Sequence, residues 1–154
     1  MNMIEERLKS LGIELPQPMK PVANYVPWVK TGNLVFVSGQ GAMVDGKVQF
    51  PGKLGGSVSL VDGVAAAKLT AINILAQLRD AAGGDLSKVK RIVKLVGFVS
   101  CTPEFTDHPK VINGASDLMV AVFGDKGRHA RSAVGVPSLP LDFSVEIEAV
   151  VELE

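Results

Sequence analysis

Near the C-terminal end stand two residues whose types and setting suit chemistry. Arg131 opens the run Arg131-Ser-Ala-Val-Gly-Val136, and Glu146 lies in Val145-Glu-Ile-Glu-Ala149. A guanidinium is a planar, permanently charged fork that matches one carboxylate. A nearby glutamate can hold a water or move a proton. The remaining candidates carry weaker signals. His108 and His129 have no Cys, Asp or Glu at metal-ligand spacing, so they read as surface or capping residues and no metal is expected. Cys101, at the end of an apolar run, reads as a small buried hydrophobe rather than a nucleophile. Ser38-Gly39-Gln40-Gly41 contains a bare GxG with no helix start behind it. It reads as a strand-end turn whose amides can touch a ligand carboxylate.

These residues need elements to hold them. Ile4, Leu8 and Leu11 recur at helical spacing before Gly12, which predicts a short helix over 3–11, read as an appendage. The prolines of 16–21 then demand an extended connector. Tyr25 to Lys30 and Asn33 to Ser38, either side of Thr31-Gly32, read as a β-hairpin. Lys47 to Phe50 reads as a short third strand before a Gly-rich loop over 51–56. Val61, Ala65, Leu69, Ile72 and Leu75 keep the helical period across 57–82, with Ser59 as cap and the Ala65-Ala66-Ala67 patch suited to close packing on a sheet. Val89 to Ser100 is apolar on both parities, as in a strand covered on both faces. Residues 109–123 return to helical spacing, with Thr106 or Asp107 as cap, and Gly124 closes them. Strands over 132–136 and 143–153 finish the chain. The order β-β-(β)-α-β-α-β-β predicts an α+β domain over 23–154, with two helices on one sheet face, preceded by a helix and connector over 1–22.

Alternation along a strand assigns faces. Val145, Ile147, Ala149, Val151 and Leu153 form one apolar face that belongs to the helices, with Glu146 and Glu148 on the other. By the same rule Val134 and Val136 are expected under the helices. That sets Arg131, Ala133 and Gly135 on the helix-free face beside Glu146. The plain reading is a solvated cross-strand pair worth about 0–1 kcal/mol. The alternative is a cleft partly covered by another subunit, since the helix-free face carries many apolar residues.

Bulk composition bounds the function. A chain of 154 residues can bury a core without disulfides, and its 47% hydrophobic content excludes disorder. Sixteen basic residues balance sixteen acidic ones, so no global field recruits nucleic acid or an anionic membrane. A single cysteine excludes an intrachain disulfide. The N-terminal residues lack a signal peptide's apolar core, and no continuous run of about 18 apolar residues is present, so a cytoplasmic location is expected.

The run from Arg131 to Pro140, followed by Val145 to Ala149, resembles the C-terminal signature of the Rid (YjgF-like) enamine/imine deaminase family, historically also labelled endoribonuclease L-PSP. Gly32-Asn33 leading to Ser38-Gly39-Gln40, Tyr25 ahead of it and Asn113 extend the resemblance over roughly 25–152. It implies a chorismate-mutase-like α+β fold with a mixed sheet, assembled as a homotrimer with ligand clefts between subunits. It also implies hydrolysis of 2-aminoacrylate and related 2-imino acids to 2-keto acids and ammonia without metal or organic cofactor. Carried over by position, Arg131 clamps the substrate carboxylate, Tyr25 and the Gly39 backbone line the cleft, Glu146 polarises a water, and Asn113 is an outer contact. Ala133 stands where many members have cysteine, so only its backbone can contribute. Two further readings remain open: a non-catalytic binder of small carboxylates or keto acids, and an endoribonuclease. The neutral charge and 5% aromatic content argue against the last.

Overall fold

The computed structural model describes residues 2–21 and 23–154. Its elements in chain order are α1 (Met3–Ser10), β1 (Trp28–Thr31), β2 (Leu34–Gly41), β3 (Met43–Val44), β4 (Lys47–Val48), α2 (Leu60–Ala81), β5 (Val89–Ser100), α3 (His108–Phe123), β6 (Ala130–Val136) and β7 (Val145–Leu153). Five strands form one mixed sheet in the order β1-β2-β7-β5-β6. β5 and β6 run parallel, and the other neighbours are antiparallel. Parallel neighbours need a crossover, and α3 is that crossover. The fold is the α+β arrangement with one mixed sheet that the order of elements predicts.

The core lies between one sheet face and the helices. Ile74, Leu75 and Leu78 of α2 and Val111, Ile112 and Met119 of α3 are buried against Val35, Ile92, Leu95, Ile147 and Val151. Each such side chain contributes about 1.5–3 kcal/mol through burial. Ser59 caps α2 by accepting from the Asp62 amide at 3.2 Å. By length and hydropathy α2 could cross a membrane, yet 56% of its most apolar window is buried in this fold. Its apolar breadth is that of a core helix.

Several expectations change. The described residues form the three α-helices expected, but only two of them were expected to pack on the sheet. α1, expected as an appendage, buries Ile4 and Leu8 in the same core and sends Arg7 Nη1 to the Val122 carbonyl at the end of α3. The boundary expected at residue 22 falls on a residue outside the described ones. Lys47–Val48 pairs with Met43–Val44 in a separate two-stranded ribbon and does not extend the main sheet. The small residues of α2 also let α3 come close: a Cβ at Gly114 would lie 2.2 Å from the Val64 carbonyl oxygen and 3.2 Å from the Ala67 Cβ. Asp107 precedes α3, but its side chain makes no capping bond.

The largest correction concerns β6. Its register against β5 pairs Leu95 with Arg131, Gly97 with Ala133 and Val99 with Gly135. Leu95 and Val99 are buried beneath the helices, so Arg131, Ala133 and Gly135 face the helices too. Val134 aligns with Phe98 and Glu146 on the helix-free face and is 45% exposed. The physical reason is close approach. A Cβ at Gly97 would sit 2.5 Å from Ile112 Cδ1, and one at Gly135 would sit 2.5 Å from His108 Nε2, so this edge takes its smallest residues on the helix side. The larger valine points outward. β5 is likewise not covered on both faces within the chain, because Val93, Val96 and Phe98 remain partly exposed.

Candidate functional site

The six residues proposed from the sequence fall into two groups on opposite sheet faces. Arg131, Asn113 and Ala133 lie between β6 and α3. Gly39 and Glu146 lie together on the helix-free face, with Tyr25 in the segment leading to β1. The expected sharing of one face by Arg131 and Glu146 is therefore wrong for a single chain, for the packing reason given above.

In the first group, Arg131 Nη1 donates to Asn113 Oδ1 at 2.8 Å and to Ser116 Oγ at 3.1 Å. Nη2 has a weak contact with the Pro109 carbonyl at 3.5 Å. Asn113 thus touches the guanidinium directly. Ser116 and His129 complete the array. His129 Nδ1 lies 2.6 Å from the Gly127 carbonyl, which makes Nδ1 the protonated nitrogen and Nε2 an acceptor. Ser116 Oγ, 2.9 Å from Nε2, then donates its proton there and accepts from Arg131 through a lone pair. Burial, chiefly, and the Arg131 charge hold His129 below the usual imidazole range against the opposing Gly127 bond, so the neutral ring fits this chain of bonds.

Both Nη1 protons are thereby engaged. The Nε–H and the remaining Nη2 proton form the side-on pair of the fork and have no strong partner among the described residues. They are what a carboxylate would take. A shallow cavity of about 280 Å³ is lined by Ser116, Arg128, His129 and Arg131 among others. A larger cavity of about 810 Å³ lies elsewhere, between the 11–19 segment and α2, lined by Glu14, Lys68 and Asn73 among others.

The second group is built by close packing against Glu146. A Cβ at Gly39 would fall 2.7 Å from Glu146 Oε2, so glycine leaves room for the carboxylate. Tyr25 is 56% exposed. Its neighbours are tied to the middle of β2, since Ser38 Oγ donates to the Val26 carbonyl at 2.8 Å and the Ser38 amide to that of Pro27 at 2.9 Å. Burial first, and the Glu148 charge second, push the Glu146 carboxyl above the ordinary carboxylate range. No ion pair to Glu146 occurs among the described residues.

Sequence reasoning missed Ser116 and the role of His129. The signal for Ser116 was its position three residues after Asn113, which places both on one helix face. It also separated Cys101 from His108, whose Sγ and Nε2 lie 3.4 Å apart. No cluster of three or more metal-ligating side chains occurs among the described residues.

Comparison with known proteins places the chain among similar sequences and folds. Residues 5–153 match the family model described as YjgF/chorismate mutase-like, putative endoribonuclease. The Trypanosoma cruzi protein TCP17 is 46% identical over 97% of this chain and 94% of its own length. A protein of unknown function from Agrobacterium tumefaciens is 51% identical and superposes with a TM-score of 0.93, covering 99% of this chain and 93% of that one. Escherichia coli TdcF, solved with bound serine, is 25% identical with a TM-score of 0.64, covering 90% and 94%.

Proposed function

The chain belongs to the YjgF, or Rid, family, and on that premise we propose that it hydrolyses small 2-imino acids and their enamine tautomers, such as 2-aminoacrylate, to 2-keto acids and ammonia. The observation that carries this reading is the Arg131 fork, held by Asn113 and Ser116 with its side-on N–H pair left for a carboxylate. An imine carbon is already electrophilic. Fixing the carboxylate and placing a water beside that carbon supplies much of the acceleration. Glu146, with its raised proton affinity, takes a proton from the attacking water and passes one to the departing nitrogen. The carbinolamine then collapses to the keto acid and ammonia, with no cofactor called for. Serine bound to the E. coli relative carries the same carboxylate handle.

One chain holds two half-sites on opposite faces, so a complete site takes Arg131, Asn113 and the Ala133 backbone from one copy and Tyr25, Gly39 and Glu146 from another. A homotrimer with clefts between subunits meets that requirement. Val29, Phe36 and Val134, exposed on the helix-free face, support assembly through that face. A second reading, a binder of small carboxylates without catalysis, is favoured by Ala133, which offers no reactive side chain two residues after the arginine. RNA cleavage is favoured by no feature of this site.

The test is to generate 2-aminoacrylate in place with a serine dehydratase and follow keto-acid release. Wild type should accelerate release, and Arg131→Ala should lose about a hundredfold in kcat/KM, the scale of ~3 kcal/mol of charge-assisted hydrogen bonding. No acceleration with any imino acid, alongside retained keto-acid binding, would establish the binder. Equal activity in folded Arg131→Ala would sink the site.

A further inference from the structure

At the C-terminal end of β5 the chain builds a second cluster that the imine reading does not use. Cys101 Sγ lies 3.4 Å from His108 Nε2, across the edge strand β6. The pair meets over Gly135: a Cβ there would fall 2.5 Å from His108 Nε2 and 2.7 Å from Cys101 Sγ. Glycine is thus what lets thiol and imidazole touch. Phe105 stands edge-on to the imidazole, with ring centroids 5.3 Å apart and planes at 88°, which limits the ring's rotation. The Cys101 amide is bonded to the Val136 carbonyl at 3.1 Å, which fixes the backbone below the thiol. Both side chains line an open cavity of about 490 Å³ with Phe105, Val136 and Lys53. Lys53 donates from Nζ to the Pro137 carbonyl and keeps two further protons at the rim.

We propose that Cys101 and His108 form a nucleophilic thiol–imidazole site that adds small carboxylate-bearing electrophiles with a polarised C=C bond. The thiolate is the nucleophilic form of cysteine, and a hydrogen-bonded imidazole generates it at the moment of attack. His108 takes the thiol proton, and sulfur forms a bond to the β-carbon. The π pair moves to the α-carbon, where His108 returns the proton. Nothing leaves, and no oxidant or reductant is consumed. The cavity wall is apolar at Phe105 and Val136, which suits an alkene, and Lys53 is the cation that takes the carboxylate. Gly135 and Arg131 are four residues apart on one strand, roughly 13 Å along it, so this site stands or falls separately from the imine reading.

Because Cys101 is the chain's single cysteine, intact mass assigns any adduct without ambiguity. The probes are monomethyl fumarate, which carries a carboxylate, and dimethyl fumarate, which does not. Each rate at pH 7 is divided by the rate of the same probe with N-acetylcysteine. Wild type should exceed the free thiol at least tenfold with the monoester and show a smaller excess with the diester. His108→Gln should remove most of the excess for both probes, and Lys53→Gln should remove only the monoester's advantage. Cys101→Ser should give no adduct. Wild-type rates at or below those of N-acetylcysteine overturn the proposal, even if a variant fails to fold. So does a folded His108→Gln that reacts like wild type, and loss of the monoester preference alone would remove the carboxylate from the assignment.

Discussion

Arg131 and Glu146 sit on opposite faces of one sheet, and their surroundings differ in kind. On the helix side, the guanidinium is finished by its own chain: Asn113 and Ser116 take both Nη1 protons, and His129 orients Ser116 in turn. On the helix-free side, Glu146 is half-buried, lies beside a second carboxylate and has no cation among the described residues. A guanidinium has five donors, so the fold can hold it with some and leave others for a ligand. A partly buried carboxylate with no partner instead pays a desolvation cost that a second copy or a ligand can relieve. The helix side is thus a pre-organised anchor, whereas the helix-free side is complete only in an assembly.

The strongest way to break this contrast is to disturb α3. Gly114→Ala places a methyl 2.2 Å from the Val64 carbonyl oxygen, where backbone must move. The expected loss is about 2–3 kcal/mol, or roughly 5–10 °C in Tm, with weaker keto-acid binding; thermal melts and calorimetry measure both. Gly39→Ala makes the opposite demand. Its methyl meets only the end of the Glu146 side chain, so stability should fall by less than about 1 kcal/mol. Keto-acid release should nevertheless drop roughly tenfold, about 1.4 kcal/mol of barrier, because the carboxylate is displaced. A large fall in Tm with unchanged release would reverse the assignment.

Ser116→Ala probes the anchor more gently. It removes one acceptor from Arg131 and the donor to His129, for about 1 kcal/mol and a severalfold weaker hold on keto acids. His129 titrates below its ordinary range, so its contribution is full above the unfolded imidazole value and is lost as pH falls through the depressed one. NMR titration of its ring should show that value move upward when pairing with Ser116 is lost and the ring becomes better solvated. The smallest expected effect is the stability change in Glu146→Gln. Its folded carboxyl holds a proton to higher pH than the unfolded one. Its contribution is therefore most favourable at acid pH and declines as pH rises through the raised value. Glu146→Gln should flatten that decline in denaturant melts between acid and neutral pH, with no effect on the His129 titration.

Much of the fold is legible in the residues. The helical period across the 22 residues of α2, its Ser59 cap and the apolar run of β5 are local patterns, and local patterns survive folding. The alternation in β7 is also correct, since Val145, Ile147, Ala149, Val151 and Leu153 are all buried. The same rule fails in β6, because hydrophobicity measures which residues can be buried and not how near a helix comes. There α3 lies so close that Ala133 and Gly135 take the inner face, and Val134 turns outward.

The order of the main elements, the period of each helix and the presence of a cation suited to a carboxylate can be read from the residues alone. Each rests on interactions within a few residues of the chain. Only tertiary structure decided which way Arg131 points, that Ser116 and His129 brace it, that Glu146 lies on the other face and that Cys101 meets His108. Those outcomes depend on the register of β6 against β5 and on the close approach of α3. Such contacts join distant residues, and alternation along a strand defines its two faces without saying which one is inside.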